Sequence, residues 1–199
     1  MLKPYYDISH TLECGCDEAG RGCLAGSVFA AAVILPHNFE SRLLNDSKKL
    51  TDKQRRELRT IIEKEALAYS VYEIDNKEID NTNILAASIK AMNMAVKNLK
   101  IKPNFLLIDG NRFNNQTDIP YKTIVKGDAT YMSIAAASVL AKTYRDDAML
   151  LLDDLYPQYC WKENKGYPTK KHRRAIELYG ITPLHRRTFN LLGEKTLFD

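Results

Sequence analysis

The run Leu12-Glu13-Cys14-Gly15-Cys16-Asp17-Glu18-Ala19-Gly20-Arg21-Gly22 decides the fold. Successive strand residues point to opposite faces, so Leu12, Cys14 and Cys16 place apolar side chains on one side of a short strand. Gly20, Gly22 and Gly26 then supply a turn, and the apolar run Val28 to Leu35 supplies a second strand, so the segment reads as a hairpin. Two adjacent acids, Asp17 and Glu18, stand at the end of the first strand beside the glycines.

Outward from the hairpin, Thr51 and Gln54 have capping-box spacing, and Leu58, Ile61, Ile62 and Leu67 suit an amphipathic helix. A strand around Tyr69 to Ile74 follows, then a helix over Ile84 to Leu99 with Leu85, Ile89, Met92 and Val96 on its buried face. Phe105 to Ile108 is a strand ending in Asp109 and Gly110, and Tyr121 to Val125 is another, before Lys126, Gly127 and Asp128. Ile134 to Leu152, rich in Ala and Leu, reads as a buried helix able to pack closely on a sheet. Thr169 caps a basic helix ending near Gly180. A hairpin followed by strands alternating with helices predicts the α/β class, with a mixed central sheet flanked by helices and a helical segment from about Tyr156.

With 199 residues, 45% apolar and 27% charged, the chain is expected to form one domain over 1–199 with an ordinary core. The net charge of +4 is compatible with an anionic partner, and its distribution points the same way. Lys162, Lys165, Lys170, Lys171, Arg173 and Arg174 crowd one segment against Glu163 alone. No stretch approaches the roughly 20 apolar residues of a membrane span and no signal-like start is present, so a cytoplasmic protein without membrane attachment is expected. Four cysteines without a Cys-x-x-Cys pair argue against a disulfide framework and a zinc site, and Cys14 and Cys16 read as small buried strand residues.

Acids recur at strand ends: Asp17 and Glu18, then Asp109, then Asp128. A single loop Asp reads equally well as a turn former or helix cap. Brought together by a sheet, the four would suit hard divalent cations, which take oxygen ligands. Two such ions supply what phosphodiester hydrolysis needs: an activated water, a stabilised leaving oxygen and neutralised phosphate charge.

Asp17-Glu18-Ala19-Gly20-Arg21-Gly22 resembles the signature of type 2 ribonucleases H, in the bacterial form ribonuclease HII. Later blocks follow in the family's order: Asn45-Asp46-Ser47-Lys48-Lys49-Leu50, Leu107-Ile108-Asp109-Gly110-Asn111, Lys126-Gly127-Asp128, Ala135 to Lys142, and Lys165-Gly166-Tyr167-Pro168-Thr169. The resemblance spans roughly residues 12 to 192. It implies a ribonuclease H-like fold and an endonuclease that hydrolyses the RNA strand of RNA–DNA hybrids. It also implies cutting 5′ to single ribonucleotides in duplex DNA, leaving 3′-hydroxyl and 5′-phosphate ends. Roles in ribonucleotide excision and RNA primer removal go with that activity.

Carried onto this sequence, the resemblance makes Asp17, Glu18, Asp109 and Asp128 the catalytic acids that hold two Mg²⁺ or Mn²⁺ ions. It assigns substrate contact to Gly20, Arg21 and Gly22, whose peptide groups meet the ribose 2′-hydroxyl, the feature that distinguishes RNA from DNA. Tyr167 matches the family tyrosine that stacks on the sugar at a ribonucleotide–deoxyribonucleotide junction, and Lys48, Lys49 and Lys165 are candidate phosphate contacts. Asp146 is read as a structural ion-pair partner, and His172 and His185 as structural histidines. Cys23 departs from the pattern, since the family usually has proline there. The expected partner is a nucleic-acid duplex and the expected state a monomer. The alternatives are another metal-dependent nuclease of the same fold, such as a junction resolvase, and a non-catalytic duplex-binding module.

Overall fold

Alternation along the opening run produces strand β1 (Glu13–Ala19), which the glycine turn reverses into β2 (Val28–Ile34). The computed structural model describes residues 2–41, 43–44 and 50–193. The remaining elements are α1 (Asp52–Glu65), β3 (Ala68–Ile74), α2 (Asn76–Asn81), α3 (Ile84–Lys97), β4 (Phe105–Asp109), β5 (Tyr121–Ile124), α4 (Met132–Leu155), α5 (Trp161–Asn164) and α6 (Lys170–Tyr179). The sheet order is β3-β2-β1-β4-β5. β1 runs antiparallel to β2, with Asp17 opposite Ala31, and parallel to β4, with Cys16 opposite Ile108. The sheet is mixed, as the hairpin required.

Each face carries its own apolar layer. Cys14, Cys16, Ala30, Leu106 and Ile108 pack on α3, whereas Ala31 and Val33 pack on Leu58 and Ile62 of α1 and the Ala-rich start of α4. A third cluster joins Leu24 and Ala25 of the turn to Met149, Tyr159, Trp161 and Ile176, so the C-terminal helices rest on the hairpin. Both expected caps form: Thr51 accepts from Gln54 N–H, and Thr169 from His172 N–H.

Three details differ from the sequence reading. Leu67 lies beyond α1, which ends at Glu65, and is 45% exposed. The buried face of α3 is Ala87, Ala91, Met92, Ala95 and Val96, leaving Leu85 and Ile89 half-buried at its margin, because small alanines let the helix sit closer to the sheet than leucine would. Helix α2, capped by Asp75, had no apolar period to announce it.

The contact between α4 and β1 depends on Gly15. A Cβ there would lie 2.1 Å from the main-chain carbon of Ser133, so helix or strand would have to move. Gly15→Ala is expected to cost about 3 kcal/mol, lowering the unfolding midpoint by roughly 6–12 °C in thermal melts. An unchanged midpoint would show that the helix retreats freely.

Candidate active site

Because β1 and β4 are parallel neighbours, their C-terminal ends lie side by side. This brings Asp17, Glu18 and Asp109 to one cleft of about 460 Å³. Asp17 and Glu18 are consecutive and leave opposite faces of β1. Asp17 turns to α4, where Ser138 hydrogen-bonds to it, and Glu18 meets Arg21 at 3.1 Å. Burial, then the charges of Glu18 and Asp109, push the Asp17 carboxyl well above the usual range; burial also raises Glu18, against the pull of Arg21. Asp109 Oδ1 accepts the Gly127 amide at 2.7 Å. Asp128 follows in the one-turn helix Gly127–Ala129, only 2% exposed, and does not border the cleft. Asp146 pairs with Lys142 at 2.7 Å, the structural ion pair expected of it.

Gly20, Arg21 and Gly22 line the cleft as one wall, and Tyr167 lines it too. Gly20 has φ +99°, and a Cβ there would strike the Arg145 side chain; Gly22 faces open space. The wall and the tyrosine loop are tied directly, Leu24 N–H donating to Gly166 O at 2.7 Å. Beneath them lie two buried guanidinium groups. Arg145 donates to Lys165 O at 2.8 Å and Ser27 O at 3.2 Å, and Arg186 to Arg21 O and Gly26 O, both at 3.0 Å. Burial lowers Arg186 to about 10. Cys23 hydrogen-bonds to Tyr167, so the residue that departs from the proline pattern contacts the ring. Lys165 does not border the cleft; its side chain turns to the Lys162 carbonyl. Lys48 and Lys49 lie outside the described residues.

Residues 14–192 match the family model described as Ribonuclease HII. The chain belongs to the ribonuclease HII family. It is 62% identical over 197 residues to ribonuclease HII of Bacteroides thetaiotaomicron, covering 99% of this chain and 98% of that one. With ribonuclease HII of Phocaeicola vulgatus it shares 63% over 193 residues, covering 97% and 96%. Among solved structures it resembles ribonuclease H2 from Pyrococcus horikoshii, with a TM-score of 0.76 and 26% identity over 91% of this chain and 95% of that one. A Bst-RNase HIII in complex with Mn²⁺ shares the fold, at TM-score 0.72 and 17% identity over 92% of this chain and 68% of that one. The chain is thus an endoribonuclease with a ribonuclease H-like fold.

Besides Ala19 of the opening motif, three polar residues of this ribonuclease HII cleft escaped the sequence reading as site residues: Ser138, Lys142 and Arg55. Ser138, Lys142 and Asp146 are four apart on α4, a polar row along one side of the helix, and that period was available in the sequence. Arg55 sits one residue past the capping box, where a basic residue looks like ordinary helix surface. Among the described residues no helix is long and apolar enough to cross a membrane.

His172 and His185 are fully buried beside the tyrosine loop, as structural histidines should be. Burial lowers both, and the neighbouring His172 helps bring His185 to about 4. A histidine depressed in the folded state takes up its proton more readily when unfolded. Stability is therefore complete above about pH 6.5 and is lost as pH falls from there toward 4. The loss is expected to be on the order of 2 kcal/mol after relaxation around the charge. Melting His185→Asn beside the wild type across that range checks this: the gap between the curves should narrow with acid, and a constant gap would contradict it.

Proposed function

We propose that this ribonuclease HII cuts the RNA strand of RNA–DNA hybrids and cleaves 5′ to single ribonucleotides in duplex DNA, leaving 3′-hydroxyl and 5′-phosphate ends. The observation that carries the reading is the trio Asp17, Glu18 and Asp109, the first two desolvated, in one cleft lined also by Gly20 to Gly22 and Tyr167. Among the described residues no three His, Cys, Asp or Glu side chains converge tightly enough to enclose an ion. An open set of hard oxygens nevertheless fits Mg²⁺ or Mn²⁺, since such ions keep waters and take few carboxylates beside substrate phosphate. Mutual repulsion within the trio is relieved by positive charge.

Asp17 and Asp109 would hold a pair of these ions and Glu18 would complete their shells. Asp128 is the fourth acid, one residue beyond the Gly127 amide that orients Asp109. When bound, the ions supply the activated water and the stabilised leaving oxygen. The chain's own work is placement. Gly20 and Gly22 let the sugar–phosphate backbone approach the peptide groups around Arg21, which read the 2′-hydroxyl. Tyr167, 38% exposed, offers a ring face to the sugar. Lys48, Lys49, Lys165 and the basic side chains of the segment from Tyr156 onward draw the duplex by its phosphates. We read residues 1–199 as one monomeric catalytic domain in the cytoplasm, serving ribonucleotide excision and primer removal.

Cleavage of an end-labelled DNA duplex with one ribonucleotide, beside an all-DNA duplex, tests the proposal with Mg²⁺, with Mn²⁺ and with EDTA. Metal-dependent cutting 5′ to the ribonucleotide alone is expected. Cutting of both duplexes would overturn the 2′-hydroxyl reading, and persistence in EDTA would overturn the metal reading.

A further inference from the structure

The cleft explains the ring of Tyr167 but not how its main chain is held. Lys165 and Gly166 both have positive φ, so the loop reaches the tyrosine through two left-handed residues that set its direction. Tyr167 N–H then donates to Asn164 O at 2.9 Å. The Tyr167 carbonyl accepts from Thr169 N–H at 2.8 Å and faces His172 Nδ1 at 3.0 Å.

The protons on this contact follow from its neighbours. Trp161 Nε1–H, which can only donate, meets His172 Nε2 at 3.0 Å, so that nitrogen accepts. The His172 proton is therefore on Nδ1 and points at the Tyr167 carbonyl. His185 Nδ1 accepts Thr182 N–H at 2.9 Å, which puts its own proton on Nε2, 3.3 Å from His172 Nε2. Trp161 Nε1–H and His185 Nε2–H then converge on the single lone pair of His172 Nε2, the tryptophan at the shorter distance, so that nitrogen carries no proton.

The far end of the line is anchored to the hairpin. His185 pairs with Ala25 as an isolated bridge, and its carbonyl accepts from Asn76 at 3.3 Å. Ala25 lies three residues beyond Gly22. The buried line thus refers Tyr167 to the same turn that carries Gly20 to Gly22. A purely packing role would not require it, since an apolar ring fills volume without demanding satisfied polar partners in the interior.

We propose that His172 is a positioning residue for nucleotide recognition: its Nδ1–H fixes Tyr167 against the Gly20–Gly22 turn and so sets the preference for a ribonucleotide–deoxyribonucleotide junction. This rests on the reading of Tyr167 as the ring that meets the sugar. The readout is a ratio, kcat/KM on a DNA duplex with one ribonucleotide over kcat/KM on a uniform RNA–DNA hybrid, which a general loss of folded protein leaves unmoved.

Two variants separate the ends of the imidazole. The His172→Asn amide reaches the place of Nδ1 and can still donate to Tyr167 O; the His172→Gln amide reaches the place of Nε2 and cannot. The Gln variant is expected to lower the ratio about tenfold, one hydrogen bond's worth, while Asn keeps it within about twofold. Equal ratios in Gln and wild type would overturn the proposal, provided Tyr167→Ala lowers the ratio. An unchanged ratio in Tyr167→Ala would instead overturn the reading of Tyr167 and the proposal with it. Nitrogen NMR of the wild type decides independently of any variant's folding: His172 should show protonated Nδ1 and bare Nε2, and His185 the reverse. The opposite tautomer at His172 would overturn the proposal.

Discussion

Asp17→Asn is expected to slow cleavage on the order of 10³-fold while raising the unfolding temperature of the metal-free enzyme. Asp17 is only 5% exposed, and its ionised form is disfavoured first by burial and then by Glu18 and Asp109. The amide keeps an oxygen that can accept Glu18 N–H, now held at 2.7 Å by the carboxylate, and removes the charge. Losing a charged ligand forfeits several kcal/mol of transition-state stabilisation; at about 4 kcal/mol the rate falls on the order of 10³-fold. Single-turnover cleavage with Mg²⁺ and melts in EDTA read the two effects separately. Mg²⁺ at 100 times its Kd should add about 2.7 kcal/mol to the wild type and little to the variant. A variant that melts below the wild type in EDTA would show that the Asp17 charge is not a net burden on the fold.

Arg186→Leu is expected to have the largest effect on stability. Its guanidinium is inaccessible to solvent and donates to Gly26 O, Arg21 O and, at 3.2 Å, Ser27 O. Leucine fills part of the space but leaves Gly26 O and Arg21 O without these donors, each costing about 1–3 kcal/mol, while Ser27 O keeps only Arg145. A total on the order of 5 kcal/mol corresponds to a fall of roughly 10–20 °C for a chain of this size. Arg21 belongs to the proposed recognition wall, so activity should drop well below the melting range too. Arg186→Lys should fall between, because one ammonium cannot span three carbonyls fixed for a planar fork. A loss under about 2 kcal/mol in the Leu variant would mean that water or a shifted main chain replaces the arginine.

The hairpin was legible because residue types alternate along Leu12 to Cys16 and glycines follow, and the acids because strand ends can be read as places. The long helix was legible from composition, but its polar stripe was not recognised as cleft lining. Arg145 and Arg186 could not be read as buried: an arginine in a basic sequence looks solvated, and only the carbonyls of a turn more than a hundred residues away make its burial tolerable. The rotation of α3 was set by how closely alanines approach the sheet, a matter of packing rather than period. Asp128 matched its motif, yet it is buried in its one-turn helix and does not line the cleft, a distinction only the third dimension makes.

The pairing of β1 with both β2 and β4 has a consequence for how the enzyme comes into being. The hairpin joins neighbours in the chain and can close as soon as residue 34 is available, whereas β4 brings Asp109 from about ninety residues downstream. Arg186, which braces the recognition wall, arrives later still. During vectorial synthesis a growing chain therefore holds two of its acids long before the third and the brace. On the proposed assignment of these acids, a product truncated before Asp109 and Arg186 carries the opening motif without the rest of its site.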